Sequence, residues 1–161
     1  MGDDLKDLLD RESIRDLAVR YCDRIVARDA EGVVSLYSPD GEFIVPETAF
    51  HIGNPQSDVG INVRRYRGTT ELREMLSASF REFAPIPSVS NNVIQLTGPD
   101  TASGRCLSTI RYGQDTDALS LAFYDDEYAR SSKGWVFLRR TLKMSNFNRK
   151  SGARVLSEPG T

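Results

Sequence analysis

The residues best suited to chemistry in this sequence are Tyr124, Asp126 and Arg140. Tyr124 and Asp126 are two residues apart on one predicted strand, so their side chains share a face. If the next hairpin folds about Ser132, Arg140 faces Tyr124, lies diagonal to Asp126 and shares its face with Leu138. A carboxyl can exchange a proton with a substrate, and a guanidinium can hold an anion. The alternative is a structural ion pair, within one subunit or between two, because a charge among apolar neighbours must be paired.

Three more side chains could act on a small molecule. Tyr21 lies on the apolar stripe of a predicted helix, where its hydroxyl could donate to a substrate oxygen or simply complete the core. Asn91 lies between Val89 and Val93 on one strand face, so its carboxamide could fix a carbonyl or bond to backbone. His51 has an ordinary pKa near neutrality. It is interpreted either as a general base carried by a lid or as an exposed loop histidine.

Composition excludes several classes of protein. The 161 residues suit one domain, expected over 1–150 with a tail at 151–161, and the net charge of −2 gives no reason to expect nucleic acid. No apolar run approaches the roughly 20 residues of a membrane span, and the N-terminus lacks a signal-peptide core, so a cytoplasmic location is expected. Cys22 and Cys106 lack a CxxC spacing and there is one histidine, so no metal centre is expected.

Two helices are expected at the start of the chain. The first begins at Asp10, a residue type that caps helices, and its apolar stripe is formed by Ile14, Leu17, Ala18, Tyr21 and Ile25. Asp29 can cap a second, short helix. Turn residues at 39–41 then end that helix before a strand at 42–45.

The rest of the chain predicts a helix-on-sheet fold. A long connection at 46–68 is rich in turn residues, as binding loops and lids are. A third helix opens at Thr69 or Thr70. Strands are then expected at 89–96, 101–112, 119–130 and 135–147, the last two joined by a hairpin turn at 131–134. This order predicts an α+β fold in which a curved antiparallel sheet wraps around about three helices as a cone with an apolar pocket.

Short motifs resemble the SnoaL-like branch of the NTF2-like superfamily in their order and spacing. They cover residues 10–147 and lie at 14–21, 37–43, 66–68, 90–91, 122–126, 134–135 and 140–141. The resemblance implies a cone whose cavity takes small, often cyclic substrates. Members include ketosteroid isomerase, scytalone dehydratase, polyketide cyclases, a dehydrochlorinase and bile-acid dehydratases. The β-subunits of ring-hydroxylating dioxygenases share the fold without a catalytic site, and many members form dimers or trimers through the sheet.

The sequence departs from the dehydratase-like members at their catalytic pair. In those proteins a carboxylate five residues after the tyrosine matching Tyr21 pairs with a histidine four residues before the asparagine matching Asn91. Together they remove a proton. Here the two positions are occupied by Val26 and Pro87. An enzymatic function must therefore rest on other residues.

Three functions remain open from the sequence. The first is a lyase, isomerase or cyclase that acts on a small cyclic or polyketide-like carbonyl compound by acid–base chemistry, without metal or organic cofactor. Tyr21 and Asn91 would polarise the carbonyl, and Asp126 or His51 would move the proton. The second is a module that binds a hydrophobic ligand unchanged, and the third is a structural subunit like a dioxygenase β-subunit. A homodimer or homotrimer is expected. The expected pocket lining is Tyr21, Ile25, Leu36, Phe43, Phe80, Asn91, Ser108, Tyr124, Phe137 and Arg140.

Overall fold

The computed structural model describes residues 2–46, 63–112 and 115–145, and these form three helices and six strands. The helices are α1 (Gly2–Val26), α2 (Ala30–Val34) and α3 (Gly68–Glu82). The strands are β1 (Tyr37–Pro46), β2 (Val63–Arg67), β3 (Pro85–Gly98), β4 (Thr101–Tyr112), β5 (Asp115–Ser131) and β6 (Gly134–Ser145). His51, most of the connection predicted at 46–68 and the tail at 151–161 lie outside the described residues. The elements confirm the α+β class.

Helix α1 begins at Gly2, so the prediction that it starts at Asp10 is wrong. Leucine and lysine in the preceding residues have high helix propensity and extend the helix toward the N-terminus. Asp10 lies inside the helix, and its carboxylate accepts a hydrogen bond from Trp135 Nε1 at 3.1 Å. The predicted apolar stripe is confirmed, because all of its members are buried: Ile14, Leu17, Ala18, Tyr21 and Ile25.

The segment after α1 folds partly as expected. Asp29 caps α2, since its Oδ1 accepts a hydrogen bond from Gly32 N at 2.8 Å. The turn predicted at 39–41 belongs instead to β1. The pairing of β1 with β6 shifts its register across this stretch. Proline is tolerated there because an irregular stretch of strand needs no ladder donor from it.

The six strands form one sheet in the order β2-β1-β6-β5-β4-β3. All neighbouring strands are antiparallel except β1 and β6, which are parallel, so the wholly antiparallel sheet expected from the sequence is corrected to a mixed one. Strand β2 comes from the end of the connection predicted at 46–68 and pairs with β1 at the sheet edge. Helix α3 follows β2 directly and buries Leu72 and Leu76, which are four residues apart and so lie on one helical face.

The β5–β6 hairpin decides which side chains reach the interior. Its turn at 131–134 is confirmed, but a bulge at Leu138 shifts the register beyond the turn. Ser131 pairs with Gly134, which is one position away from a hairpin centred on Ser132, and the bulge adds a second position. Arg140 therefore stands opposite Asp126, and the pairing with Tyr124 predicted from a regular hairpin is wrong. A bulge inserts one extra residue and so reverses the alternation of faces.

The same bulge explains an unusual pair of buried neighbours. Phe137 and Arg140 are both wholly buried although they are three positions apart on one strand, and Leu138 is exposed. The inner face of β4 follows the regular alternation instead, with Ala102, Cys106, Ser108 and Ile110 buried. The sheet and the stripe of α1 thus enclose the core. None of the described helices is long and apolar enough to cross a membrane.

Candidate functional site

A pocket of about 70 Å³ lies inside the cone, between α1, α3 and the sheet. Its described wall is mainly apolar, and four of its residues have a side-chain hydroxyl: Tyr21, Ser79, Tyr112 and Tyr124. The volume is about half of the ~150 Å³ cavity that admits benzene in another protein. Only one end of a ring compound therefore fits in the enclosed part.

The guanidinium of Arg140 lies behind the pocket, packed among aromatic rings. Its central carbon is 3.9 Å from the ring centroid of Tyr124, 4.2 Å from that of Tyr21 and 4.4 Å from that of Phe137. Arg140 is wholly buried. A cation over an aromatic face is attracted by the ring's quadrupole, and the attraction is stronger where water is excluded.

Asp126 neutralises Arg140 from the side away from the pocket. Its Oδ1 lies 3.2 Å from Arg140 Nε, but neither atom has a hydrogen bond of normal geometry. The other oxygen, Oδ2, accepts a hydrogen bond from the Tyr128 hydroxyl at 3.0 Å. Gly104 makes room for this ring, because a Cβ there would lie 3.1 Å from Tyr128 Cε2 and 2.9 Å from a backbone oxygen of β3.

Burial raises the pKa of Asp126 to about 6, and the nearby Arg140 charge and the Tyr128 hydrogen bond oppose that rise. Burial also disfavours the charge of Arg140, but Asp126 and the surrounding groups hold its pKa well above the usual value. Arg140 is therefore charged at all physiological pH values. The carboxylate is mostly ionised at neutral pH, so the two form a buried ion pair there.

The tyrosines at the pocket are neutral hydrogen-bonding groups. Burial raises the pKa of Tyr21 to about 12, although the Arg140 charge lowers it. Burial likewise raises the pKa of Tyr124 and of Tyr37. The Tyr21 hydroxyl interacts with those of both Tyr37 and Tyr124. The sequence analysis did not include Tyr37, whose hydroxyl interacts with that of Tyr21, among the site residues. Its position as an inward-facing aromatic residue was a usable signal.

Several buried polar atoms beside the pocket have no hydrogen-bond partner. These include Arg140 Nη1 and the Oγ of Ser108, which is wholly buried. Arg140 Nη2 has a weak acceptor in Cys106 Sγ at 3.5 Å. Buried polar groups are nearly always bonded, so such exceptions call for an explanation.

The structure places the predicted lining residues in three groups. Tyr21, Ile25, Phe43 and Tyr124 line the pocket. Ser108, Arg140, Phe137 and Leu36 are buried but lie outside its described lining. Neither Asn91 nor Phe80 lies in that lining.

The expectation that Asn91 points into the cavity is wrong, because its side chain is exposed. Asn91 has φ +49° and lies in a bulge of β3, which turns it off the inner face. Phe80 is partly buried beneath Arg28, whose guanidinium carbon is 5.8 Å from the ring centroid. It follows Ser79, which does line the pocket, and successive helical residues differ in direction by about 100°.

Asp126 is also corrected as a pocket residue. It is buried on the inner face of β5, two residues beyond Tyr124, and does not contribute to the described lining. The bulge in β6 places Arg140 opposite it. At the two positions of the dehydratase pair, Val26 is half exposed at the end of α1, whereas Pro87 is buried and lines the pocket.

The described part of the lining contains no carboxylate and no imidazole. Within residues 2–46, 63–112 and 115–145, no group of three or more His, Cys, Asp or Glu side chains could hold a metal ion. The chemistry that this part of the site can perform is therefore hydrogen-bond donation from phenolic hydroxyls inside an apolar wall, next to a buried positive charge.

The sequence profile of a family described as "SnoaL-like domain" matches residues 6–141 of this chain. Among proteins with curated functions, none matches it significantly.

Several solved structures have the same fold at low sequence identity. An NTF2-like protein with a cystatin-like fold from Novosphingobium aromaticivorans has a TM-score of 0.67 at 21% identity, covering 98% of this chain and 95% of its own. The LinA-type3 hexachlorocyclohexane dehydrochlorinase of Novosphingobium barchaimii has a TM-score of 0.69 at 20% identity, with 90% and 92% covered. A Mycobacterium tuberculosis protein of unknown function has a TM-score of 0.69 at 21% identity, with 89% and 75% covered.

Proposed function

Because this chain belongs to the SnoaL-like family, we propose that it is a small-molecule enzyme that performs acid–base chemistry on a compact cyclic or polyketide-like carbonyl compound. The reaction is that of a lyase, isomerase or cyclase and begins when a proton leaves the carbon beside the carbonyl. The observation that carries the proposal is the presence of two neutral tyrosine hydroxyls, Tyr21 and Tyr124, in a mainly apolar pocket wall. Such donors stabilise negative charge that develops on a carbonyl oxygen.

Each residue has a distinct role in this proposal. Tyr21 and Tyr124 receive the carbonyl oxygen, and the apolar wall that includes Phe43 holds the ring. Asp126 is a positioning residue, because it pairs with Arg140 and does not touch the pocket. The proton acceptor is assigned to His51, the one histidine of the sequence, which lies outside the described residues.

The first test needs no known substrate. Small cyclic ketones are incubated with the protein in D2O, and proton NMR follows the loss of the signal from the carbon beside the carbonyl. We expect exchange faster than in buffer alone. Tyr21→Phe should slow it about 100-fold, the effect typical of removing one oxyanion donor. His51→Gln should return it to the buffer rate.

The control is Arg105→Met, on the outer face of the sheet, which should exchange at the wild-type rate. Wild-type exchange equal to buffer across the ketone panel would contradict the enzymatic proposal. So would a Tyr21→Phe variant with unchanged exchange.

A second candidate function is a module that binds a hydrophobic ligand without converting it. It is favoured by the absence of a carboxylate or imidazole from the described lining, and by Val26 and Pro87 at the dehydratase positions. In an NMR titration with the same ketones, saturable changes in protein chemical shifts would show binding. If the ketone protons then exchange no faster than in buffer, the result supports this function over catalysis.

A further inference from the structure

We propose that the pocket binds the oxygen of its ligand as an anion, a phenolate or an enolate, and that Arg140 is the residue that sets this preference. The inference rests on the proposed function, because it places the ligand oxygen at the hydroxyls of Tyr21 and Tyr124. It goes further in naming the ligand class. Acidic phenols and enols are preferred over neutral alcohols and ketones of the same shape.

The first support is the position of the positive charge relative to the pocket. Tyr124 and Tyr21 both line the pocket. The guanidinium carbon lies 3.9 Å and 4.2 Å from the centroids of their rings. A positive charge behind these rings polarises their O–H groups toward stronger donation. It also attracts negative charge on an oxygen that the hydroxyls hold.

The second support is the direction of the ion pair. Asp126 follows Tyr124 by two residues on the inner face of β5, away from the pocket end, and meets Arg140 at Nε. The far end of the guanidinium reaches Cys106 on β4 and the two lining tyrosines. The pair is thus a dipole whose positive end is nearer the pocket. Its negative end is further stabilised by the Tyr128 hydroxyl.

The third support is that the guanidinium makes few hydrogen bonds within the protein. Nε and Nη1 make no hydrogen bond of normal geometry, and the acceptor of Nη2 is a sulfur atom. Asp126 offsets this charge on the Nε side only, so the field of the guanidinium is less screened toward the pocket. The described lining has no carboxylate to cancel it. Binding a neutral phenol as its phenolate would release the phenol proton to the buffer, so atoms and charge balance.

The test uses 4-nitrophenol, whose phenol and phenolate forms absorb at different wavelengths. Its ionisation is titrated free and bound at saturating protein. We expect the bound ligand to ionise about one pH unit or more below the free ligand, the size of shift that one nearby opposite charge produces. In Arg140→Met combined with Asp126→Leu, which removes both charges and leaves no buried charge unpaired, the shift should disappear.

The matched control is Arg105→Met, which removes an exposed arginine that lies 5.9 Å from the ring centroid of Phe123 on the outer face. It should keep the full shift. Arg140→Lys retains a charge at the site and should keep part of it.

Each outcome decides between the two proposals. The anion inference is overturned if bound nitrophenol ionises at the same pH as the free ligand or at a higher pH. It is also overturned if the shift survives in the double variant. If a cyclic ketone binds or exchanges its proton while nitrophenol does not bind, the anion inference fails and the proposed function stands. If neither compound binds, both fail.

Discussion

At the scale of single residues, the buried pair of Asp126 and Arg140 combines an architectural role with an electrostatic one. Both side chains are wholly excluded from solvent, and the carboxylate has only one hydrogen bond of normal geometry, from Tyr128. Taking two charges out of water is costly, and their mutual attraction compensates only while both are present. The pair therefore holds β5 to β6 and fixes the charge behind the pocket.

Asp126→Asn is expected to lower the free energy of unfolding by about 3–5 kcal/mol, because it leaves Arg140 buried without its counter-charge. Urea denaturation at neutral pH measures the change. The matched control is Asp125→Asn, whose carboxylate pairs with Arg105 and Lys143 on the outer face. That change should cost at most about 1 kcal/mol, as exposed pairs do. Equal losses in the two variants would contradict the architectural role of Asp126.

At the scale of elements, a polar cluster joins the start of α1 to the β5–β6 hairpin. Asp10 accepts hydrogen bonds from Arg130 Nη2 at 2.6 Å, Lys6 Nζ at 3.0 Å and Trp135 Nε1 at 3.1 Å. The Arg130 guanidinium carbon is 4.5 Å from the ring centroid of Trp135, and its Nε bonds to Asp100 in the β3–β4 turn at 3.0 Å. One carboxylate thus connects a helix to the hairpin that carries the site.

Asp10→Asn should destabilise the protein most near neutral pH. The hydrogen bond from Arg130 is the largest influence on the Asp10 carboxyl and lowers its pKa to about 2, against the ordinary 3.8. A lowered pKa contributes stability above the unfolded value, and that stability is lost as pH falls from about 4 through 2. Urea denaturation at several pH values in this range should show that the free energies of unfolding of the wild type and the variant converge as pH falls. Asp16→Asn, at an exposed helix position paired with Arg20, should change the free energy of unfolding at neutral pH much less than Asp10→Asn does.

At the scale of the whole molecule, the outer face of the sheet is available for assembly. It carries an ion-pair row in which Arg139 pairs with Glu42 and Glu127, and beside it Phe123 is 39% exposed. We propose that the protein forms a homo-oligomer through this face. Phe123 and Arg139 are of residue types that are enriched in protein interfaces, which favours this face.

Phe123→Asp should therefore lower the mass measured by light scattering after size-exclusion chromatography to that of one chain, with little change in melting temperature. Val19→Asp replaces a more exposed apolar residue on α1, 58% against 39% for Phe123, and should leave the mass unchanged. A wild-type protein that elutes as a single chain would contradict the proposal.

Most of the framework follows from the sequence alone. The stripe of α1, the cap of α2, the face of α3 and the alternation along β4 are local patterns of period 3.6 or 2, and each predicts its own buried side. The family resemblance also depends on such local motifs and on their order along the chain. The start of α1 and the course of β1 were predicted wrongly, because the cap and turn signals at Asp10 and 39–41 are weaker than helix propagation and strand pairing.

Only the tertiary structure decided what surrounds the pocket. The bulge at Leu138 places Arg140 opposite Asp126, and the bulge at Asn91 removes that side chain from the cavity. A bulge changes the register of every later pair but leaves no periodic trace in the sequence. The position of the guanidinium against Tyr21 and Tyr124 likewise depends on contacts between α1, β5 and β6, whose residues are far apart in the chain. Local patterns determine which side chains are buried, whereas the pairing of distant strands determines which of them meet.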